Sequence, residues 1–134
     1  MADHSAQHAS LRRIGQTDIY VTPVAMGCWP ITGITSVDVN EADSLATLQA
    51  AFDAGINFFD TAYIYGYNGE SERLIARALG THRHEIVIAS KCGLAWNEQR
   101  QQQRDAPPET IRRQCEESLQ RLQTDVIDLH YLHA

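Results

Sequence analysis

Short apolar runs alternate along this chain with longer segments of helical periodicity, and this alternation restricts the possible folds more than any other feature. The helical segments are recognised by apolar residues that recur at intervals of three, four and seven positions. The first is predicted over residues 41–54, the second is capped by Ser71 and ended by Gly80, and the third begins at Pro107-Pro108. The predicted strands are 24–27, 56–60, 85–91 and 125–133, and residues 11–21 are predicted to form a β-hairpin before them.

A strand–helix–strand order of this kind is typical of parallel βαβ units. The run 85–91 is almost continuously apolar, as expected for a strand covered on both faces of a parallel sheet. No GxGxxG turn follows the first strand, which argues against a Rossmann domain. Polar or aromatic residues instead fall at or just after the carboxyl ends of successive strands, where a (β/α)8 barrel builds its active site. These residues are Cys28-Trp29, Asp60 with Tyr65, Lys91, and His133.

The predicted fold class is therefore α/β, of the (β/α)8 TIM-barrel type. A full barrel takes about 250 residues, whereas this sequence has 134. We expect a hairpin plus the first four strands and three helices, which corresponds to the N-terminal half of a barrel over residues 11–134. Such a half-barrel leaves strand edges open, and open edges favour self-association.

The bulk composition excludes several classes of partner. A net charge of −6 and an isoelectric point near 5.4 argue against nucleic acid and anionic membrane surfaces. No apolar run approaches the roughly 20 residues of a membrane-spanning helix. Residues 1–10 are polar and have no apolar signal-peptide core, so they are interpreted as a disordered leader.

The three cysteines show no pairing pattern. Cys28, Cys92 and Cys115 are widely spaced, lack a CxxC motif and have no histidine at metal-ligand spacing. Neither a disulfide framework nor a zinc site is predicted, and each cysteine is interpreted as a small buried apolar residue. The expected location is a reducing cytoplasm.

Lys91 is the only lysine in a chain that has ten arginines. A bias towards arginine on the surface explains the ten, but it does not explain a single lysine at the end of an apolar run. Lysine can tune or take part in proton chemistry, whereas arginine stays protonated in proteins. Lys91 is therefore a candidate functional residue.

Four strand-end residues could share one pocket: Asp60, Tyr65, Lys91 and His133. A phenol has a pKa near 10, which is too high for proton transfer at neutral pH, and a neighbouring ammonium lowers that pKa. The carboxylate would hold the lysine, and the histidine would add a second hydrogen-bond donor. Together they could donate a proton to an oxygen that is becoming an alkoxide.

Each of these residues also has an ordinary structural interpretation. A lone aspartate often caps a turn, the neighbouring tyrosines suggest packing, and the lysine could form a simple ion pair. The histidine, with His130 nearby, could be a solvated side chain. Taken singly these interpretations are favoured, but four polar groups at adjacent strand ends favour a catalytic site.

Three stretches of the sequence resemble the aldo-keto reductase family. The stretch Asn57–Gly66, followed by Glu70-Ser71-Glu72, resembles the family signature, and Ile86–Gly93 resembles the strand with the catalytic lysine. The ending Asp125–His133 is similar to the fourth strand with the catalytic histidine, and the hairpin and Gly27-Cys28-Trp29 also match. The resemblance spans residues 11–134.

The resemblance implies an NAD(P)H-dependent oxidoreductase that reduces aldehydes or ketones to alcohols. It implies that Tyr65 is the general acid, Lys91 lowers its pKa, Asp60 orients Lys91 and His133 orients the carbonyl. Gly27, Trp29 and Asp60 would line the nicotinamide of NADPH or NADH. The expected partner is a small carbonyl compound, and the 134-residue chain alone is not necessarily active.

Two other functions remain open at this stage. The chain could be a truncated or regulatory cofactor-binding barrel without turnover, or a barrel lyase that uses Lys91 as a Schiff-base amine. The lyase interpretation gives Tyr65 and His133 no role. No metal is expected, because His130 and His133 are three positions apart on a predicted strand and face opposite sides.

Overall fold

The computed structural model describes residues 10–134. The predicted leader, apart from Ser10, therefore lies outside the described residues. The first element is an antiparallel hairpin of β1 (Arg12–Arg13) and β2 (Tyr20–Val21), in which Arg12 pairs with Val21. Gly15 in its turn has a φ of 53°, a left-handed conformation that glycine adopts without steric cost. The predicted hairpin is confirmed.

The remaining strands and helices follow in the predicted order, with two additional strands. They are β3 (Met26–Gly27), α1 (Glu41–Asp53), β4 (Phe58–Asp60), α2 (Glu70–Leu79), β5 (Val87–Cys92), β6 (Leu94–Trp96), β7 (Gln102–Arg104), α3 (Pro108–Leu122) and β8 (Leu129–Leu132). Short 3₁₀ helices occupy Pro30–Thr32 and Gly80–Glu85. No helix among the described residues is both long and apolar enough to span a bilayer.

Strands β3, β4, β5 and β8 form one parallel sheet in that order. Each is therefore the neighbour of the next main strand in sequence, as in consecutive βα units of a barrel. The register pairs Gly27 with Asp60 and Lys91 with Tyr131. The carboxyl ends of all four strands consequently lie at the same edge of the sheet.

The core lies between this sheet and the helices that cover it. It contains large side chains with almost no exposed surface, namely Leu48, Phe59, Ile75, Leu79, Ile88 and Leu122. Each such side chain stabilises the fold by about 1.5–3 kcal/mol through the burial of its apolar surface. Because α1, α2 and α3 all contribute to this cluster, the helices fix the sheet that presents the strand ends.

The N-terminus of α2 differs from the prediction. Gly69, with a φ of 70°, is the N-cap, whereas Ser71 lies inside the first turn and is fully buried. The Ser71 hydroxyl lies 2.8 Å from the Cys28 carbonyl oxygen, to which it donates, and 2.8 Å from the Thr61 hydroxyl. The prediction of Ser71 as the cap was wrong because this hydroxyl is used in tertiary contacts.

The predicted loop over residues 97–105 contains an unexpected strand. Strand β7 pairs with β6 in an antiparallel hairpin, with Trp96 opposite Gln102. All three residues of β7 are exposed, so no alternation of apolar and polar residues marks them as a strand. The indole N–H of Trp96 lies 2.9 Å from the Ile64 carbonyl oxygen, and this contact joins the hairpin to the loop after β4.

The outer strands of the parallel sheet are β3 and β8, and each has one sheet neighbour among the described residues. On β8, Tyr131 and Leu132 are 46% and 65% exposed. An exposed apolar edge strand of this kind is a site where another strand can pair. Self-association through this edge stays a prediction.

Candidate active site

Each residue predicted for the site lies at or just beyond a strand end. Asp60 is the last residue of β4, Lys91 is the penultimate residue of β5, and His133 directly follows β8. Tyr65 lies in the loop between β4 and α2. The parallel sheet brings Asp60, Lys91 and His133, which belong to three different strand ends, to the same edge, and the loop with Tyr65 starts from that edge.

Lys91 is the centre of the cluster. Its Nζ donates to Asp60 Oδ1 at 2.6 Å and to the Thr61 carbonyl oxygen at 2.8 Å. The same Nζ is 3.4 Å from the phenol oxygen of Tyr65. The side chain of Lys91 is only 16% exposed, so water screens these contacts weakly.

Tyr65 is held in place by its backbone and by two aromatic neighbours. Its N–H donates to the Ala62 carbonyl at 3.1 Å, which closes a turn directly after β4. Its ring packs edge-on against Trp29 and His133, with centroid distances of 5.2 and 6.0 Å. The four predicted site residues are therefore in one cluster.

His133 is anchored by its backbone N–H, which donates to the Cys92 carbonyl at 2.8 Å. Burial lowers the pKa of its imidazole, and the nearby positive charge of Lys91 lowers it further, while Asp60 acts in the opposite direction. The ring is therefore neutral at pH 7. Its Nδ1 is buried and has no hydrogen-bond partner within residues 10–134.

An open cleft of about 460 Å³ lies beside these side chains. Asp60, Lys91 and His133 line it together with apolar residues that include Ala25 and Ala89. The small side chains of Ala25 and Ala89 leave open space next to the charged pair.

The residues predicted to contact a cofactor are near Asp60. Gly27 pairs with Asp60 in the sheet, and no atom beyond Gly27 and its two chain neighbours lies within 4 Å of the point where a Cβ on Gly27 would stand. The indole N–H of Trp29 donates to the Thr35 hydroxyl at 2.6 Å, which fixes the ring against Tyr65.

Cys28, which lies close enough to Asp60 and Lys91 to sense their charges, is not suited to nucleophilic chemistry. Cys28 is fully buried, and burial, with a smaller effect from the Asp60 charge, raises the pKa of its thiol to about 12. It stays protonated at neutral pH, as the sequence interpretation requires. Cys92 is also buried, whereas Cys115 is partly exposed.

Residues 10–134 contain no group of three or more His, Cys, Asp or Glu side chains that could hold a metal ion.

Several buried polar residues behind the site were missed by the sequence interpretation. Gln114 on α3 is fully buried, accepts from Gly93 N–H at 2.7 Å and donates to the Leu94 carbonyl at 3.3 Å. Glu72 and Arg121 form an ion pair of 3.2 Å in which the glutamate side chain has no exposed surface. Glutamine, glutamate and arginine normally lie on the solvated face of a helix, so these residue types gave no signal for their burial.

Comparisons with known proteins are consistent with this geometry. The model of the aldo/keto reductase family matches residues 23–134. Aldo-keto reductase YhdN of Bacillus subtilis is 37% identical over 122 residues, which are 90% of this chain and 36% of that protein. An Oryza sativa protein named "Probable voltage-gated potassium channel subunit beta" is 34% identical over 125 residues, which are 91% of this chain and 36% of that protein.

The solved structure of the glycerol dehydrogenase AKR11B4 from Gluconobacter oxydans is also similar. It superposes with a TM-score of 0.81 at 35% identity, over 93% of this chain and 39% of that structure. The chain therefore belongs to the aldo/keto reductase family and has the barrel-type α/β fold predicted from its sequence. It spans less than half the length of each of these three relatives.

Proposed function

We propose that this chain forms part of an enzyme that reduces aldehydes or ketones to alcohols with NADPH or NADH, and that Tyr65 donates the proton. The observation that supports this most strongly is the position of Lys91 Nζ. It lies 2.6 Å from Asp60 Oδ1 and 3.4 Å from the phenol oxygen of Tyr65. A partly buried cation held by a carboxylate and placed beside a phenol suits proton transfer to a developing alkoxide.

The residues beside the cleft fit the nicotinamide end of such a cofactor. The cleft is open next to Asp60 and Lys91. Gly27, the sheet partner of Asp60, leaves free space at its Cβ position, and the ring of Trp29 packs edge-on against Tyr65. Gly27, Trp29 and Asp60 would line the nicotinamide. The cofactor would supply a hydride to the carbonyl carbon of the substrate.

The proton would come from the chain itself. As the carbonyl oxygen gains negative charge, the Tyr65 hydroxyl donates its proton to that oxygen, and the product is an alcohol. The ammonium of Lys91 stabilises the negative charge that remains on the phenolate oxygen. Asp60 keeps Lys91 oriented and balances its charge when the phenol is intact.

His133 would orient the carbonyl. Because the imidazole is neutral and its buried Nδ1 lacks a partner among the described residues, the tautomer with the proton on Nε2 is favoured. A buried N–H without an acceptor is rare in proteins, whereas a nitrogen that carries no proton leaves no donor unsatisfied. The Nε2–H group could then donate to the carbonyl oxygen beside Tyr65.

The test is NADPH oxidation with a simple aromatic aldehyde by the wild-type enzyme of which this chain forms part and by its Tyr65→Phe variant. We expect the substitution to reduce kcat by about 10²-fold or more, because the proton donor is lost while the ring remains. The dissociation constant of NADPH, followed by fluorescence, should stay nearly unchanged. Tyr67→Phe is the matched control, since Tyr67 packs against Trp96 instead of Lys91. Equal rates for Tyr65→Phe and wild type would remove Tyr65 from the mechanism.

A second candidate function is a cofactor-binding barrel without turnover. The similarity to the rice protein named as a channel subunit favours it, because a relative of that name indicates that the fold is not restricted to free enzymes. In that case NADPH would bind without being oxidised by any aldehyde or ketone. Tyr65→Phe would then have no effect on any measured property except local packing.

A further inference from the structure

A buried ion pair lies directly behind the candidate site, on the side of the sheet that the helices cover. Glu72 of α2 has no exposed surface. One of its carboxylate oxygens accepts from the Ser90 hydroxyl at 2.7 Å, and the other accepts from Arg121 Nη1 of α3 at 3.2 Å. The carboxylate therefore connects two helices and a strand.

Arg121 extends the connection to the loop after β4. The same Nη1 donates to the Tyr63 carbonyl at 2.9 Å, and the guanidinium carbon lies 4.2 Å from the centre of the Tyr63 ring. The Tyr63 hydroxyl in turn donates to Glu117 Oε2 at 2.5 Å. Glycine at position 69 leaves space for the guanidinium, because a Cβ there would lie 2.5 Å from Arg121 Nε.

These contacts are made by immediate neighbours of the residues that face the cleft. Ser90 precedes Lys91, and Tyr63 is two positions before Tyr65. Because successive side chains of a strand point to opposite faces, Ser90 points to the helices when Lys91 points to the cleft. The Tyr63 N–H also donates to the Lys91 carbonyl at 3.0 Å. One carboxylate thus holds both the strand that places Lys91 and, through Arg121, the loop that places Tyr65.

We propose that Glu72 and Arg121 are positioning residues that set the distance between Lys91 and Tyr65. The 3.4 Å between Lys91 Nζ and the Tyr65 oxygen depends on the relative placement of two backbone segments, and the pair fixes both. Neither residue lines the cleft that contains Lys91 and His133. The part of this inference that concerns turnover rests on the proposed function, whereas the part that concerns the Tyr65 ring does not.

The test compares Arg121→Gln with wild type in two measurements. The first is the nuclear Overhauser contact between the Tyr65 and Trp29 rings in the labelled full chain, recorded well below the melting temperature. We expect this contact to be lost or weakened several-fold in Arg121→Gln, because the Tyr63 carbonyl loses its donor. The second is kcat for NADPH-dependent aldehyde reduction, which we expect to fall at least tenfold while the NADPH dissociation constant changes less than twofold.

Arg77→Gln is the matched control. Arg77 pairs with Glu41 at 2.6 Å on the surface, and both side chains are more than half exposed. Loss of that pair should leave the ring contact and kcat as in wild type. Arg121→Lys keeps the positive charge but cannot reach two acceptors with a planar fork, so we expect partial rescue at most.

Arg121→Gln leaves Glu72 buried and unpaired, so that variant could fail to fold. The double variant Glu72→Gln/Arg121→Gln removes both charges, and the amide oxygen introduced by Glu72→Gln could still accept from the Ser90 hydroxyl. We expect it to fold and to show the same loss of the Tyr65–Trp29 contact. If both variants fold with the ring contact and kcat unchanged, the proposal is wrong. If neither they nor Arg121→Lys fold, the pair serves folding alone and the positioning role is again wrong.

The two proposals fail in different ways. A wild-type enzyme containing this chain that binds NADPH but does not oxidise it, combined with loss of the ring contact in Arg121→Gln, contradicts the proposed function and supports the positioning role. If the wild type turns over and both kcat and the ring contact are unchanged in Arg121→Gln, the proposed function is supported and the positioning role is contradicted.

Discussion

Lys91 and His133 influence each other although they lie on different strands. The ammonium of Lys91 has a carboxylate partner in Asp60, yet its charge still contributes to the lowered pKa of the His133 imidazole, after the larger effect of burial. A protonated His133 would add a second cation to the same cleft. Burial and, to a smaller extent, the charge of Lys91 therefore favour the neutral form of His133.

The first prediction at this scale concerns stability and pH. The pKa of His133 is lower in the folded chain than its unfolded value near 6.5, so the unfolded state binds more protons just below that pH. The contribution of His133 to stability is therefore present above pH 6.5 and declines as the pH falls below it. In His133→Asn, the free energy of unfolding from urea titrations should decrease less between pH 7 and pH 5 than in wild type. A steeper decrease in the variant would contradict the assignment.

At the scale of elements, the placement of α2 depends on buried polar contacts. Ser71 in its first turn joins the helix to Cys28 after β3 and to Thr61 after β4. These hydrogen bonds fix α2 relative to the ends of β3 and β4, and the loop that contains Tyr65 lies between β4 and α2.

The second prediction tests these contacts with two serines that are equally buried. Ser71→Ala should lower the free energy of unfolding by about 1–3 kcal/mol, because the Cys28 carbonyl and the Thr61 hydroxyl lose a partner. Ser118 on α3 is also fully buried, but its hydroxyl has no hydrogen-bond partner in the described part of the chain. Ser118→Ala should therefore leave stability nearly unchanged or slightly raised. Similar losses in urea denaturation would show that burial, and not hydrogen bonding, decides the effect.

The sequence predicts elements well where apolar periodicity marks them. Helix α1 was predicted over residues 41–54 and spans Glu41–Asp53, and the strand predicted over residues 85–91 spans Val87–Cys92. Strand β7 could not be found, because its exposed glutamines pair only through the backbone. The clustering of Asp60, Tyr65, Lys91 and His133 could be predicted because parallel strands align their ends. The burial of Glu72 and Arg121 could not be predicted, since a charged residue on a helix is expected in water unless its partner is known.

At the scale of the whole molecule, the sheet order determines the site. Strands β3, β4, β5 and β8 each present one or two functional candidates at the same edge, and this edge brings the candidates of different strands together. The family relationship extends over residues 23–134, while the relatives compared above are more than twice as long as the matched segment. The proposed reduction would take place at this edge of the sheet, where the cofactor and the carbonyl compound would meet.

The most direct test of the account is the rate of NADPH-dependent aldehyde reduction by Lys91→Met. Methionine has a similar length but no charge, so Tyr65 would lose the cation 3.4 Å away while the packing is largely kept. We predict a fall in kcat of about 10²-fold or more with little change in the NADPH dissociation constant, and no change for Arg77→Met on the surface. Turnover by Lys91→Met at the wild-type rate would contradict the proposed function. So would a wild-type enzyme containing this chain that binds NADPH and reduces no aldehyde or ketone.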